Sequence, residues 1–373
     1  MAIDLSRMPK LGFGLMRLPQ KEGEIDLETV CNMADKYMAA GLNYFDTAYV
    51  YHGGYSEVAA RKAIVERYPR DSFYLATKLP AWCLKSFEDR DRIFDEQRER
   101  AGVEYFDFYL LHSVEDGGNH ETYEKYDCFN WAVEKKKEGK IRHFGFSYHG
   151  TPALLEQVLD KHPEIEFVQI QLNYIDWDNP VVASGRLHEI MSSRGIPMII
   201  MEPVKGGTLA TPPPEVLELF EGARPGASAA SWALRFVASQ PGVMTILSGM
   251  STEEQMADNV NTFTNFEPLS DEEQGIIEKA REIMHGKPTI GCTACRYCTD
   301  GCPQGIKIPD IFSLINAMRI YNEGWRAKNW YNSQLAPSAR ASDCIGCGQC
   351  EGVCPQHLPI IELLKEASAQ FDN

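Results

Sequence analysis

Two cysteine runs carry the most specific chemistry in the chain. Cys292-x2-Cys295-x2-Cys298-x3-Cys302-Pro303 and Cys344-x2-Cys347-x2-Cys350-x3-Cys354-Pro355 repeat one pattern, the C-x2-C-x2-C-x3-C-P spacing whose thiolates hold a [4Fe-4S] cubane. The short loop wraps three sulfurs around one cube, while the fourth thiolate serves the other cube in two-cluster proteins. The expected ligand sets are therefore Cys292, Cys295, Cys298 and Cys354 for one cluster, and Cys344, Cys347, Cys350 and Cys302 for the other. Structural zinc prefers two separated Cys pairs, and disulfides suit an oxidising compartment, so both are weaker readings. Cys31, Cys83 and Cys128 stand outside the runs and are expected as buried apolar residues.

A second group lies in the first half of the chain. Asp46 follows LNYF, Lys78 follows FYLAT, His112 follows DFYLL, and Tyr51 lies five residues beyond Asp46. Taken singly, a Lys or His at a strand end is more often a satisfied surface or core group. Together they make an acid catalyst. An adjacent ammonium, itself fixed by a carboxylate, shifts a phenol of ordinary pKa about 10 toward its anion. Tyr51 is then tuned to give a proton to a carbonyl oxygen that His112 holds in place.

These residues need a scaffold that brings strand ends together. Up to about residue 283 the chain alternates β-rich apolar runs with segments of helical periodicity. The runs are residues 11–16, 42–46, 73–78, 107–112, 141–147, 167–172, 197–201 and 243–249; helices are expected at 27–40, 56–68, 121–138 and 251–263. Eight βα units predict an α/β chain folded as a (β/α)8 TIM barrel, whose chemistry sits at the C-terminal ends of the strands. A doubly wound sheet is the alternative, but LGFGLMRLP supplies Gly12 and Gly14 without the third glycine of a dinucleotide fingerprint. Residues 284–291 read as a linker. Two amphipathic helices, 309–321 and 359–371, follow it. The expected domains are a barrel at 1–283 and a small, mainly α-helical ferredoxin-like domain at 284–373, whose modest core is supplemented by metal-coupled folding.

Composition narrows the partners. Among 373 residues, 37 Lys+Arg face 53 Asp+Glu, a net charge of −16. Polyanions are repelled by such a surface, so neither nucleic acid nor anionic membrane is expected. The N-terminus lacks an apolar signal core, and no run approaches the roughly 18 apolar residues of a bilayer span. A cytoplasmic location follows as the expectation. Nothing in the sequence signals an oligomeric state.

With those residues in view, YFDTAYVY, the Lys of LATK and the His of YLLH resemble the Asp, Tyr, Lys and His tetrad of the aldo-keto reductases. The resemblance runs through the whole barrel. It implies a nicotinamide cofactor across the barrel mouth, NADP(H) with NAD(H) left open, and a small-molecule aldehyde or ketone as substrate. It also implies that Gly14, Met16 and Arg17 lie near the nicotinamide, and that Ser147 and Gln169 hold its carboxamide. Pro203, Val204, Lys205, Gly206 and Gly207 would form the loop over the pyrophosphate. Ser251, Gln255, Asp258 and Asn259 in SGMSTEEQMADN would meet the adenosine. The chain departs from the family pattern at Tyr148, where Asn is usual, and at Glu202, where an aromatic ring often stacks. It also lacks a Lys or Arg around Ser251 to pair with a 2′-phosphate. Tyr49, His52, Trp82 and His149 are further pocket candidates, with loop packing an equal explanation.

The tail resembles the helical dicluster ferredoxin modules of anaerobic oxidoreductases. Hydride transfer moves two electrons, whereas a [4Fe-4S] cluster passes one. The leading expectation is a carbonyl reductase carrying two [4Fe-4S] clusters. The alternative is an iron-sulfur electron-transfer protein, its clusters feeding single electrons to a barrel-bound substrate or a redox partner protein.

Overall fold

The computed structural model describes Ile3 and residues 8–286, 290–292, 296–321, 324–354 and 356–372; Cys295 and Pro355 lie outside the described residues. The chain divides into two compact units, one of Met1–Trp177 with Ser184–Ala280, the other of Asp178–Ala183 with Arg281–Asn373.

The first unit is built on eight strands: β1 Leu11–Gly14, β2 Tyr44–Asp46, β3 Tyr74–Pro80, β4 Phe106–Val114, β5 Ile141–Tyr148, β6 Phe167–Gln171, β7 Met198–Met201 and β8 Val243–Ser248. Each pairs in parallel with its sequence neighbours, and β8 returns to β1, closing the barrel. The expected (β/α)8 architecture is therefore the observed one. Short apolar runs without polar alternation suit strands buried on both faces.

Register explains how the barrel positions chemistry. Side chains two apart share a face. Gly14 aligns with Asp46 and Asp46 with Ala76; Lys78 is two residues on and aligns with Leu110; His112 is two beyond that. Tyr44, Ala76, Phe108, Leu110, Phe167 and Ile199 belong to one buried cluster. On the same faces, toward the strand ends, follow Asp46, Lys78, His112 and Gln169. The lower barrel is thus apolar filling and its upper rim is polar. Gly145 faces this interior because a Cβ there would stand 2.2 Å from the Phe167 carbonyl oxygen.

The helices that face the strands are α1 Leu27–Ala39, α2 Tyr55–Ala60, α3 Glu88–Ala101, α4 Cys128–Lys137, α5 Pro152–Lys161, α6 Ser184–Ser193, α7 Ala229–Ala238 and α8 Glu253–Thr264. Asp26, Thr151, Ser228 and Thr252 cap four of them, each accepting a backbone N–H with its side chain. The helix expected over 121–138 is broken into Asn119–Lys125 and α4. Asp127 adopts a left-handed φ of 49° there, and the Arg90 guanidinium donates to the carbonyls of Tyr126 and Asp127. The expected linker also starts late, since helix Asp271–His285 runs past Met284.

In the second unit, α9 Ile308–Tyr321 and α10 Ile360–Phe371 contribute buried Ile308, Ile311, Phe312, Ile360, Leu364 and Phe371. Tyr331 stacks on Phe371 with ring centroids 4.7 Å apart, and its hydroxyl donates to Asp372 at 2.8 Å while accepting from Ala341 N at 2.6 Å. Asn316 spans the backbone N and O of Ile290 at 2.7 and 2.9 Å, anchoring the entry to the unit. No helix among the described residues is long and apolar enough to cross a membrane.

Candidate active site and cluster cavities

At the rim of the barrel the Lys78 ammonium donates to Asp46 Oδ1 at 2.5 Å, to the Thr47 carbonyl at 2.7 Å and to Tyr51 Oη at 3.5 Å. Asp46 and Lys78 are both buried, a pair that water does not screen. Burial works to lower the Lys78 pKa, but the Asp46 carboxylate and Tyr51 hold it above its ordinary value. Lys78 stays a cation. Tyr51 enters from the irregular turn after β2, and its ring lies edge-on to His112 at 5.8 Å. The four residues expected to act together are adjacent.

One expectation about their electrostatics is corrected. Lys78 does pull the Tyr51 phenol toward its anion, but burial is the larger effect and the Asp46 carboxylate opposes ionisation, so the net shift is upward. Tyr51 is therefore held as the neutral acid. His112 is pushed well below the usual imidazole range by burial first, then by the neighbouring Lys78 ammonium and His149. It is a neutral ring, and its Nδ1 is buried with no partner among the described residues. β4 bulges between Leu111 and Val114, and Ser113 takes a φ of 60°, which re-aims the strand just past His112.

Behind Lys78 lies a polar layer the sequence reading missed. Gln97 Nε2 donates to the Lys78 carbonyl at 3.0 Å, to Thr77 Oγ1 at 3.0 Å and to Glu57 Oε1 at 3.1 Å. Tyr109 donates to Gln97 Oε1 at 2.7 Å, and Thr77 donates to Glu57 at 2.7 Å. The available signal was Gln97 itself, an amide on the same helix face as buried Ile93, Phe94 and Ala101.

The nucleotide candidates divide into two groups. Ser147 and Gln169 are in register and buried; Ser147 Oγ accepts from Ser113 N at 2.8 Å. Gln169 Nε2 reaches Met201 Sδ at 3.5 Å, leaving its Oε1 buried without a partner among the described residues. That orphaned acceptor suits a carboxamide N–H. Gly14 ends β1, and Met16 and Arg17 lie in the turn Leu15–Arg17. Arg17 reaches Glu202 at 3.6 Å, so the position noted as departing from the family's stacking ring carries an ion pair.

The phosphate-side candidates are largely engaged with the protein. Lys205 is buried against Asp176 at 2.9 and 3.0 Å, although its loop, Pro203, Val204, Lys205, Gly206 and Gly207, makes a turn with φ of 48° at Lys205, 63° at Gly206 and 105° at Gly207. Ser251 Oγ donates to the Arg17 carbonyl at 2.7 Å, and Ser251 N donates to Gln255 Oε1 at 2.8 Å. Asp258 accepts from Ser228 at 2.6 Å, and Asn259 donates to Ser248 at 2.9 Å. The α8 helix begins at Glu253 rather than Ser251, with Glu253 and Glu254 in its first turn.

Of the remaining candidates, Trp82 lies 5.2 Å from the His112 ring and is half exposed. His149 donates its backbone N–H to the Val114 carbonyl at 3.0 Å. Tyr49 points to Glu96 at 2.6 Å and His52 to Gln20 at 3.0 Å, contacts that belong to loop packing. Cys128 is buried as expected, but Cys31, on the outer part of helix Leu27–Ala39, and Cys83, at the end of the turn Ala81–Cys83, are only half-buried.

In the second unit the cysteines surround two cavities. One is lined by Cys292, Cys298 and Cys354 with Arg296, Phe312 and Ile360. The other is lined by Cys302, Cys344, Cys347 and Cys350 with Ile345 and Leu364. Ile308 forms part of both walls. The grouping is the crossed one, with Cys354 beside the first run and Cys302 beside the second; Cys295 lies outside the described residues. Among the described residues no three His, Cys, Asp or Glu groups converge on one ion position. Apolar walls and cysteine sulfurs suit a cluster.

Comparison with known proteins identifies the families of the two regions. The Aldo/keto reductase family matches residues 10–282, and a 4Fe-4S dicluster domain matches residues 291–358. The L-galactose dehydrogenase of Arabidopsis thaliana is 25% identical over 290 residues, covering 73% of this chain and 89% of that protein. Among solved structures, an aldo-keto reductase from Bacillus halodurans in its holo form aligns with a TM-score of 0.59 at 25% identity, covering 73% of this chain and 92% of its own. An aldo/keto reductase from Klebsiella pneumoniae, solved with NADP and acetate, aligns with a TM-score of 0.58 at 21% identity over 73% of this chain and 91% of its own.

Proposed function

The chain belongs to the aldo/keto reductase family, and on that premise we propose that it reduces an aldehyde or ketone with NAD(P)H, with Tyr51 as general acid, and carries two [4Fe-4S] clusters in a domain at residues 284–373. The observation that carries the reading is the contact of one buried ammonium, Lys78, with both Asp46 at 2.5 Å and Tyr51 at 3.5 Å.

When bound, a reduced nicotinamide supplies hydride and a [4Fe-4S] cluster exchanges one electron at a time. Everything else is the work of this chain. Tyr51 and neutral His112 converge on a carbonyl oxygen. His112 polarises it, Tyr51 delivers the proton, and Lys78 stabilises the phenolate left behind. Asp46 holds Lys78 in place and in charge. Ser147, Gln169, Gly14, Met16 and Arg17 would hold the nicotinamide end. The Pro203 to Gly207 loop, with Ser251, Gln255, Asp258 and Asn259, would take the rest of the nucleotide. NADP is bound by the Klebsiella pneumoniae relative, which supports NADP(H) here, although Glu253 and Glu254 at the start of α8 do not favour an added phosphate. Cys292, Cys295, Cys298 and Cys354 would hold one cluster, and Cys344, Cys347, Cys350 and Cys302 the other. Thiolates of this kind belong in a reducing, cytoplasmic setting.

The two cysteine cavities support a second reading, in which clusters feed single electrons, from a redox partner protein, to a substrate at the same Tyr51 site. One experiment separates the two. Anaerobically prepared protein is assayed with NADPH or NADH against a panel of aldehydes and ketones, and again with a reduced low-potential dye. The first reading expects nicotinamide oxidation that falls about 10²- to 10⁴-fold in Tyr51→Phe. Turnover with the dye alone overturns it in favour of the second.

A further inference from the structure

The two cysteine cavities are alike in their apolar lining and differ in charge. Arg296 lies on the wall of the first, beside Cys292, Cys298 and Cys354. Among the described residues, the wall of the second carries no Arg, Lys, Asp or Glu. Arg296 adopts a φ of 67°, a left-handed conformation that is costly for a side chain of this kind and that persists when its surroundings enforce it. Its guanidinium is then fixed by a two-pronged bond to Asp310, both N–H···O distances being 2.8 Å. Asp310 belongs to α9 and does not line the cavity. Arg296 thus shares the cavity wall with the cysteines, and its counter-charge does not. Arg296 is raised above its ordinary pKa by Asp310 first and also by Cys298 and Cys292, so those sulfurs lie within its field.

We propose that Arg296 makes the cluster held on the Cys292, Cys298 and Cys354 side the easier of the two to reduce, so that a single electron reaching the tail comes to rest there. The inference rests on the two-cluster reading above. Reduction adds one negative charge to an assembly already made negative by its thiolates, and net charge and surroundings set the potential of such clusters. A neighbouring cation stabilises the reduced form. Half of the Arg296 side chain is exposed, so the effect is partly screened and narrows with added salt.

The test uses the full chain, prepared anaerobically, with iron and acid-labile sulfide measured first and reduction followed by EPR during a redox titration. The expected result is about eight iron and eight sulfide per chain and two resolved midpoints. Arg296→Gln should lower the upper midpoint and leave the lower one in place. Asp310→Asn, which removes the counter-charge, should raise that same midpoint. Opposite signs separate an electrostatic role from a loosened loop, which would shift both variants the same way. If Arg296→Gln loses iron, Asp310→Asn and the salt dependence of the wild-type gap decide. Coincident wild-type midpoints, an unmoved upper midpoint, or equal shifts in both clusters overturn the proposal while the two-cluster reading stands. An iron content far below eight overturns that reading and the proposal with it.

Discussion

Tyr51 must be protonated to act as an acid, and its acid form predominates below its pKa. Burial, with Asp46 assisting, raises that pKa despite Lys78. The pH profile of kcat/KM for carbonyl reduction is therefore expected to stay level beyond about 10, the ordinary phenol value, and to fall only above it. His112 is depressed, so no limb appears near its ordinary value of about 6.5. A decline between these values would contradict the assignment. Lys78→Met leaves Asp46 buried without its partner, a loss expected to cost about 3–5 kcal/mol, whereas the double variant Asp46→Asn with Lys78→Met should recover part of it; urea unfolding measures both. Asp46, Lys78 and His112 were legible as a set, because each follows an apolar run and together with Tyr51 they combine the groups an acid catalyst needs, although any one of them alone has an ordinary structural explanation. The Tyr51 shift was not, because it depends on how deeply the ring is buried, which no spacing encodes. Nor was the pairing of Lys205 with Asp176 legible, since the two lie 29 residues apart and meet only in the fold.

The strands themselves were legible as apolar runs, and each of the eight forms within a few residues of its expected limits. Their register was not, though register is what places Asp46, Lys78 and His112 on one face. Gly145 shows how tightly that register is packed. A methyl group there meets the Phe167 backbone at 2.2 Å, and backbone cannot swing aside as a side-chain tip can. Gly145→Ala is expected to destabilise the barrel by about 1–3 kcal/mol, seen as a lower urea midpoint with an unchanged slope. The helix over 121–138 was misread because its break is met by Arg90, a residue 37 positions before Asp127 in sequence.

The whole chain carries a net charge of −16, which suits small, weakly charged substrates better than polyanions. The two units rest on different sources of stability: a close-packed barrel interior and a small helical core around two cysteine cavities. Stripping iron with a chelator under oxidising conditions is expected to remove a helical circular-dichroism contribution from the tail while the barrel still melts cooperatively. Calorimetry should then show one transition retained and one lost; loss of both together would contradict the separation.

Ile308 forms a partition common to both cavities. Were both cavities to hold the proposed clusters, this shared aliphatic wall would leave them close enough to trade charge far faster than a bond at carbon is made or broken. Filled in turn, one electron to each, the pair would hold the charge count of a single hydride.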